Sequence, residues 1–493
     1  MKLPAPLLAK VQAFGQEIVE DAAELRDNSG DLHSIEVSLL TLARALVTTI
    51  VVAIVARRRD QLEASPPCCE RCRIKMRSRG EEARSVSLAY GDDLNFLRQV
   101  WECGRCKGTY APVDKALGLR RDSWSPMLRQ FFCLGAALLP GKRAAESLGR
   151  VLSRHVSARS LMDVAAKEGA AQVAQDAAQG MLAEPYKPHK KQRWYVMLDG
   201  SASHVDKGWH EAQLGVIFPE DARVHSKKPS TGPKQKRKRK QEHYRLKWKR
   251  VFGCINNWET FSHILTKVLV RLRIPEIATQ VVVITDGASV LRSVIALVLP
   301  DALLILDWYH ATLHLWTCAK TLYGDGTDAT RRWAKKYERM LRNGRVRDVI
   351  RGLERAKRHH QGKKKQEALS DLIRYYSNNA DRMAYDEYRR QGLLIGSGPI
   401  EGAHRHIHHQ RFKLAGMRHW CRERKNALLN LRLIYLNGDW DTYWRLCDQI
   451  SKSDISLSAS SGASSSTAGV PPDMKRRPLP CLPSFSWRAS ACG

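Results

Sequence analysis

Val281-Val282-Val283-Ile284-Thr285-Asp286-Gly287 is the stretch on which the fold turns. An apolar, β-branched run closed by a glycine turn reads as a buried strand, and Asp286 stands at its carboxyl end. A second run of the same design, Trp194-Tyr195-Val196-Met197-Leu198, ends in Asp199-Gly200. In open α/β sheets reactive groups gather beyond the carboxyl ends of the strands, so two such strands side by side would bring Asp199 and Asp286 within reach of a shared cation. Glu401 opens a helix just after Gly396-Ser397-Gly398-Pro399, with Pro399 suited to a first helical position. From a packed helix it would complete an all-oxygen site. Donors of this kind, with positions left to water and phosphate, suit Mg²⁺ or Mn²⁺, and two such ions clamp both oxygens of an in-line phosphoryl displacement.

Working outward, residues 214–218 and 250–255 read as further strands, followed by a helix over 260–272. After Asp286 come a helix over 288–299 and a fifth strand over 303–307. Three consecutive strands and then strands alternating with helices is the order expected of an RNase H-like α/β core with a mixed sheet. Its first part spans 193–310, a helical insertion spans 311–395, and the final core helices span 396–445. Asp307 and His310 are candidate second-layer groups beside the site, with Asp307 the alternative to Asp286 as second aspartate. Taken singly these residues prove little, because aspartate before glycine is a common turn former and Glu401 could simply complement a helix dipole. His404 and Arg405 share the face of Glu401, and Arg411 and Lys413 continue a basic side. His404, His406, His408 and His409 are read as lying along DNA, not as a zinc site.

Toward the amino terminus, residues 1–62 read as two helices. Cys69 and Cys72, then Cys103 and Cys106, form two Cys-x-x-Cys knuckles flanking a hairpin pattern (Val86, Leu88, Tyr90, then Gly91-Asp92-Asp93), which is a zinc ribbon over 63–115. Four thiolates make a closed, structural Zn²⁺ site; Cys68 competes with Cys69 for the first place. The isolated Cys133, Cys254, Cys318, Cys421 and Cys447 read as small buried hydrophobes. Residues 116–184 are helical, and helices over 142–152 and 158–179 form a candidate helix-turn-helix in which Arg159 would meet DNA. Residues 185–192 read as a linker, Lys236-Arg237-Lys238-Arg239-Lys240 as a mobile basic loop gripping a duplex backbone, and 451–493, rich in serine, as a disordered tail.

The 493 residues carry 82 Lys and Arg against 50 Asp and Glu, a formal charge of +32. That excess makes a polyanion, double-stranded DNA above all, the expected partner. No secretory signal pattern is visible, and the apolar residues 39–56, interrupted by Arg44, Thr41, Thr48 and Thr49, read as a buried helix and not a membrane span. The expected location is the cytoplasm, at the nucleoid.

With these residues in hand, the chain resembles bacterial insertion-sequence transposases of the ISKra type, DDE enzymes with an RNase H-like core. The resemblance runs from about Cys68 to about Trp444. It rests on the two knuckles, on Leu198-Asp199-Gly200, Thr285-Asp286-Gly287, Ile305-Leu306-Asp307-Trp308-Tyr309-His310-Ala311 and Tyr375-Tyr376-Ser377-Asn378-Asn379, and above all on Gly392-Leu393-Leu394-Ile395-Gly396-Ser397-Gly398-Pro399-Ile400-Glu401. It implies that Asp199, Asp286 and Glu401 are a catalytic triad for metal-dependent strand cleavage and strand transfer at element ends, performed by an oligomer that synapses two ends. Residues 451–493 match nothing in the family. The competing readings are a non-catalytic DNA-binding regulator and a plain metal-dependent nuclease.

Overall fold

The computed structural model describes residues 5–21, 31–63, 65–182, 190–225, 244–414 and 420–459. The described residues divide into two compact units, one drawn from 5–131, 148–155 and 447–459, the other from 132–147 and 156–446.

In the first unit, strands β1 (Arg77–Ser87), β2 (Asp93–Glu102) and β3 (Thr109–Tyr110) form an antiparallel sheet in that order. The Ser87 hydroxyl donates to Asp93 (2.8 Å) across the hairpin end, and Arg154 ties the turn by donating to the Leu88 carbonyl and to Asp93. The helix Leu32–Leu62 corrects an expectation: it is not a buried helix. Only Val55 is buried, while Leu39, Leu40, Leu46, Val47, Ile50 and Ile54 are exposed. By length and composition it is apolar enough to cross a membrane. The reason for its exposure is one of area, since so small a sheet can cover only one stripe, and Val51 and Val55 take it against Val86, Leu94 and Val113.

The second unit is built on a five-stranded sheet of β4 (Gln192–Val205), β5 (Gly208–Pro219), β8 (Arg250–Cys254), β9 (Ala278–Thr285) and β10 (Leu303–Leu306), in the order β10-β9-β4-β5-β8; β6 (Arg223–His225) and β7 (Tyr244–Leu246) pair separately. Strands β4, β9 and β10 are parallel, and β5 runs antiparallel to both β4 and β8. Both faces of β4 are covered: Trp194, Val196 and Leu198 pack with the helices Trp258–Arg271 and Ser289–Val298, and Tyr195 and Met197 are equally buried on the opposite face. Contrary to the sequence reading, β4 does not stop at Asp199. Its parallel pairing with β9 ends at Met197↔Ile284, while its antiparallel pairing with β5 continues to Val205↔Gly208.

Helices Trp308–Tyr323, Asp328–Arg342, Val346–His359, Lys363–Asn379 and Tyr385–Arg390 fill the interval between β10 and the segment of Glu401. The helix Arg422–Leu436 then protects the open edge of the sheet. The Asn426 side chain pairs with both the N–H and the carbonyl of Ile255, and Asn437, just past the helix end, does the same with Val251, at 2.7–2.9 Å. An edge that would otherwise offer unpaired backbone groups is thus closed by two side-chain amides. The expected helix over 158–179 is two helices, Ala158–Ala170 and Gln172–Ala178, because Ala171 is extended (ψ 146°). At the carboxyl end, the helix Trp440–Ala459 carries order into the stretch read as a disordered tail, and residues 460–493 lie outside the described residues.

Candidate functional site

Sheet register puts the acidic residues on one level. Two residues beyond the pair Met197↔Ile284 stand Asp199 and Asp286, and one beyond Thr285↔Leu306 stand Asp286 and Asp307. Adjacent strands lie about 4.8 Å apart, so Asp286 and Asp307, just past the ends of β9 and β10, stand level with Asp199, which lies within β4 where its pairing with β9 has ended. Asp286 forms a local turn, its Oδ1 accepting from the Ala288 N–H at 3.0 Å, while its carbonyl accepts from Tyr375 Oη at 2.7 Å. Gly287 makes the turn possible. Its φ is +97°, and a Cβ there would stand 2.7 Å from Leu306.

Asp199 is largely buried, its side chain 17% exposed, and Glu401 projects from the first turn of the helix Gly398–Ala403. Burial, together with the negative charges of Asp286 and Glu401, pushes the Asp199 carboxyl up to about 7. The three carboxylates therefore share one electrostatic neighbourhood, although their oxygens do not all lie within 4.8 Å of one another. Like charges gathered this way favour a divalent cation as the neutralising partner.

Asp307 plays a different part from the alternative considered for it. It is fully buried, and both oxygens are engaged: Oδ1 accepts from the Ser397 N–H (2.6 Å), and Oδ2 from the N–H of His310 (2.8 Å), with His310 Nδ1 at 2.7 Å. The Trp308 N–H also donates to the Ile395 carbonyl. Asp307 thus caps the helix Trp308–Tyr323 and pins the Gly396-Ser397 segment that carries Glu401. Its hydrogen bond raises the pKa of His310, whose Nε2 lies 4.0 Å from Glu401 Oε1.

Beyond Glu401 the chain winds into a π-helical turn, His404–His409. The same face of β4 that bears Asp199 meets this turn residue by residue. His404 Nε2 lies 3.4 Å from Asp199 Oδ2; Ser201 is met by His409 Nε2 (3.3 Å) and Lys413 Nζ (2.8 Å); Ser203 is met by His408 Nε2 (3.1 Å) and Lys425 Nζ (2.6 Å). For His404, His408 and Arg411 this corrects the sequence reading of a basic, DNA-facing helix, whereas Arg405, His406, His409 and Lys413 are exposed. His404, His408 and Arg411 are buried, and Arg411 donates from Nε to the Ala136 carbonyl while its guanidinium stacks on Phe412 and Trp420. Burial holds His404 neutral, down to about 4, and Lys425 down to about 8. Sequence reasoning put His404 on the face of Glu401 but read it as lying along DNA, and it did not single out Lys425.

Of the other candidates, Arg405 is exposed, and Arg159, at the start of its helix, is exposed at 93%. Lys236, Arg237, Lys238, Arg239 and Lys240 lie outside the described residues.

In the first unit, the ligand atoms of Cys69, Cys72, Cys103 and Cys106 all lie within 4.8 Å of one another and could hold a metal ion. The two knuckles repeat one geometry. The N–H of Arg73 donates to the Cys69 carbonyl and that of Lys107 to the Cys103 carbonyl, and both residues take positive φ, 58° and 57°. Cys69 is buried and Cys68 exposed, so Cys69 joins the cluster. Backbone N–H groups of Cys106 and Arg105 bring Cys103 down to about 6, whereas desolvation and the neighbouring thiols push Cys72 up to about 12. The four sulfur donors in a closed set suit Zn²⁺. Cys421, read as a small buried hydrophobe, is exposed at a helix start.

In sequence, no protein-family profile matches the chain, and no curated protein does. Among solved structures, the Drosophila P element transposase strand transfer complex is similar to it, with a TM-score of 0.32 and 11% identity over 66% of this chain and 94% of that one.

Proposed function

We propose that the chain is a DDE transposase with an RNase H-like core, which binds the ends of an insertion sequence and catalyses strand cleavage and strand transfer. The observation that carries the proposal is the level placement of Asp199 and Asp286 on adjacent parallel strands, with Glu401 close enough for its charge to raise the Asp199 pKa. The strand order supports the core assignment: counted along the chain within the main sheet it is 3-2-1-4-5, with the second strand antiparallel. The motifs around Asp199, Asp286, His310 and Glu401 carry the family likeness.

The donor set fits Mg²⁺ or Mn²⁺, since three carboxylates spread around a site match two ions about 3.5–4 Å apart better than one. When bound, such ions neutralise phosphate charge and make water a stronger nucleophile. The chain's residues do the rest. Asp199 and Asp286 hold the carboxylates at the sheet end, the Asp307–His310 pair fixes the segment of Glu401, and Glu401 closes the site from the helical side. Exposed basic groups such as Arg159 and Arg405, with the loop 236–240, would hold duplex DNA by its phosphates, and two copies would be needed to hold two ends. The Cys69, Cys72, Cys103 and Cys106 cluster would be a structural zinc site. The enzyme would act on DNA in the cytoplasm.

Purified full-length protein incubated with Mg²⁺ or Mn²⁺, a target plasmid and duplexes carrying the sequences that flank its reading frame tests the reading. Joined end–target products are expected. Unselective degradation would make it a nuclease, and binding without cleavage would make it a regulator.

A further inference from the structure

His404 is an anomaly for a residue that merely packs. It is 2% exposed, and neither ring nitrogen has a hydrogen bond of good geometry, the polar groups nearest the ring being the backbone and the carboxylate of Asp199. Leaving a buried imidazole unpaired costs about 1–3 kcal/mol, yet its Nε2 stands 3.4 Å from a carboxylate oxygen of Asp199. Of the neighbouring histidines on the same turn, His408 meets Ser203 Oγ through Nε2 while its Nδ1 is left without a partner, and His409 Nε2 meets Ser201 Oγ. Two ligand atoms that bind one first-row cation at about 2.1 Å, at an angle of about 90–110°, stand about 3.0–3.5 Å apart. The His404–Asp199 separation falls in that interval. His404 also follows Glu401 by three residues, a spacing that in helical carboxylate metal sites brings a glutamate and a histidine to one side.

We propose that His404 is a nitrogen ligand, with Asp199, of one divalent ion at the carboxylate site, so that this position prefers Mn²⁺ or a later transition ion to Mg²⁺. The inference rests on the phosphoryl-transfer reading and adds to it the identity of a ligand and of the metal it selects. Imidazole nitrogen is a poor donor for Mg²⁺ and a good one for transition ions. Among the described residues no third ligand atom lies within 4.8 Å of both, so the remaining positions would fall to water and phosphate oxygens, as an open catalytic site requires.

The test is pulsed electron paramagnetic resonance on full-length, zinc-loaded protein titrated with Mn²⁺. The wild type is expected to show the coupling of a directly bound ¹⁴N nucleus, retained in His310→Gln and lost in His404→Gln. In His404→Gln the Mn²⁺ dissociation constant should rise about tenfold, while the Mg²⁺ constant, read by competition, changes less than about threefold. If His404→Gln does not fold, the wild-type and His310→Gln spectra decide the matter. Bound Mn²⁺ that is displaced by Asp199→Asn but shows no ¹⁴N coupling overturns this inference and leaves the carboxylate site standing. Coupling that persists in His404→Gln overturns it too. Mn²⁺ binding indifferent to Asp199→Asn overturns both.

Discussion

At the scale of single residues, the unusual feature of the second unit is how many cations and imidazoles it buries behind the carboxylates. Lys425 is the clearest case: it is 1% exposed, donates to Ser203 Oγ and the His204 carbonyl, and faces the Phe412 ring. Its pKa falls from 10.5 to about 8 because burial, and then the charges of Lys413 and Arg411, disfavour the ammonium. Between those two values the unfolded chain holds the extra proton, so stability rises with pH from about 8 to about 10.5. The contribution is on the order of 3 kcal/mol. Urea unfolding of wild type and Lys425→Met at pH 8 and pH 10 checks this, and the wild type should gain on the variant over that interval. Parallel pH profiles would show that Lys425 is not the group responsible. None of this was legible beforehand. The inward stripe Ile400, Ala403, His404, Ile407, His408, Arg411 and Phe412 has ordinary helical spacing, but histidine and arginine occupy positions where apolar residues usually signal burial. His408 and Arg411 are buried with the Ser203 hydroxyl and the Ala136 carbonyl as partners, which no local pattern announces.

At the scale of elements, legibility followed burial on both faces. Strand β9 reads directly from Val281 to Thr285 because each side chain meets a covered face, and Asp286 was placed correctly just past its end. The second half of β4, Gly200-Ser201-Ala202-Ser203-His204-Val205, was missed because its inward residues are small and polar to suit the π-helical turn. The cysteine knuckles were legible from spacing alone, but the choice between Cys68 and Cys69 needed the fold. Replacing the metal by Co²⁺ makes that choice measurable. The thiolate-to-cobalt absorption of a tetrahedral site is expected to survive Cys68→Ser and to be lost or shifted in Cys69→Ser. On the proposal of a structural zinc site, chelation should unfold β1–β3, since a small three-stranded sheet with few buried side chains would depend on the bound ion. Unchanged circular dichroism and hydrogen exchange in that sheet after metal removal would contradict a structural role.

At the scale of the whole molecule, a formal charge of +32 predicts that the proposed DNA binding weakens as ionic strength rises. Arg159 and Arg411, both expected at the DNA from sequence, now separate. Arg159→Ala should weaken binding and reduce the slope of log affinity against log salt by about one, with little change in melting temperature, because the side chain is almost fully exposed. Arg411→Ala should lower the melting temperature and leave the salt slope intact, because the guanidinium is enclosed by Phe412, Trp420 and the Ala136 carbonyl. The reverse pattern in salt titrations and thermal melts would put Arg411 at the DNA after all.

Everything proposed for the catalytic unit depends on Asp199 touching a divalent ion during DNA cleavage. The most direct measurement is single-turnover cleavage of an end-sequence duplex by Asp199→Cys, in Mg²⁺ and in Mn²⁺. A thiolate binds Mg²⁺ poorly and Mn²⁺ better. The predicted result is a loss of at least about a hundredfold in Mg²⁺, with substantial recovery in Mn²⁺. Cleavage at the wild-type rate in Mg²⁺ would contradict the account.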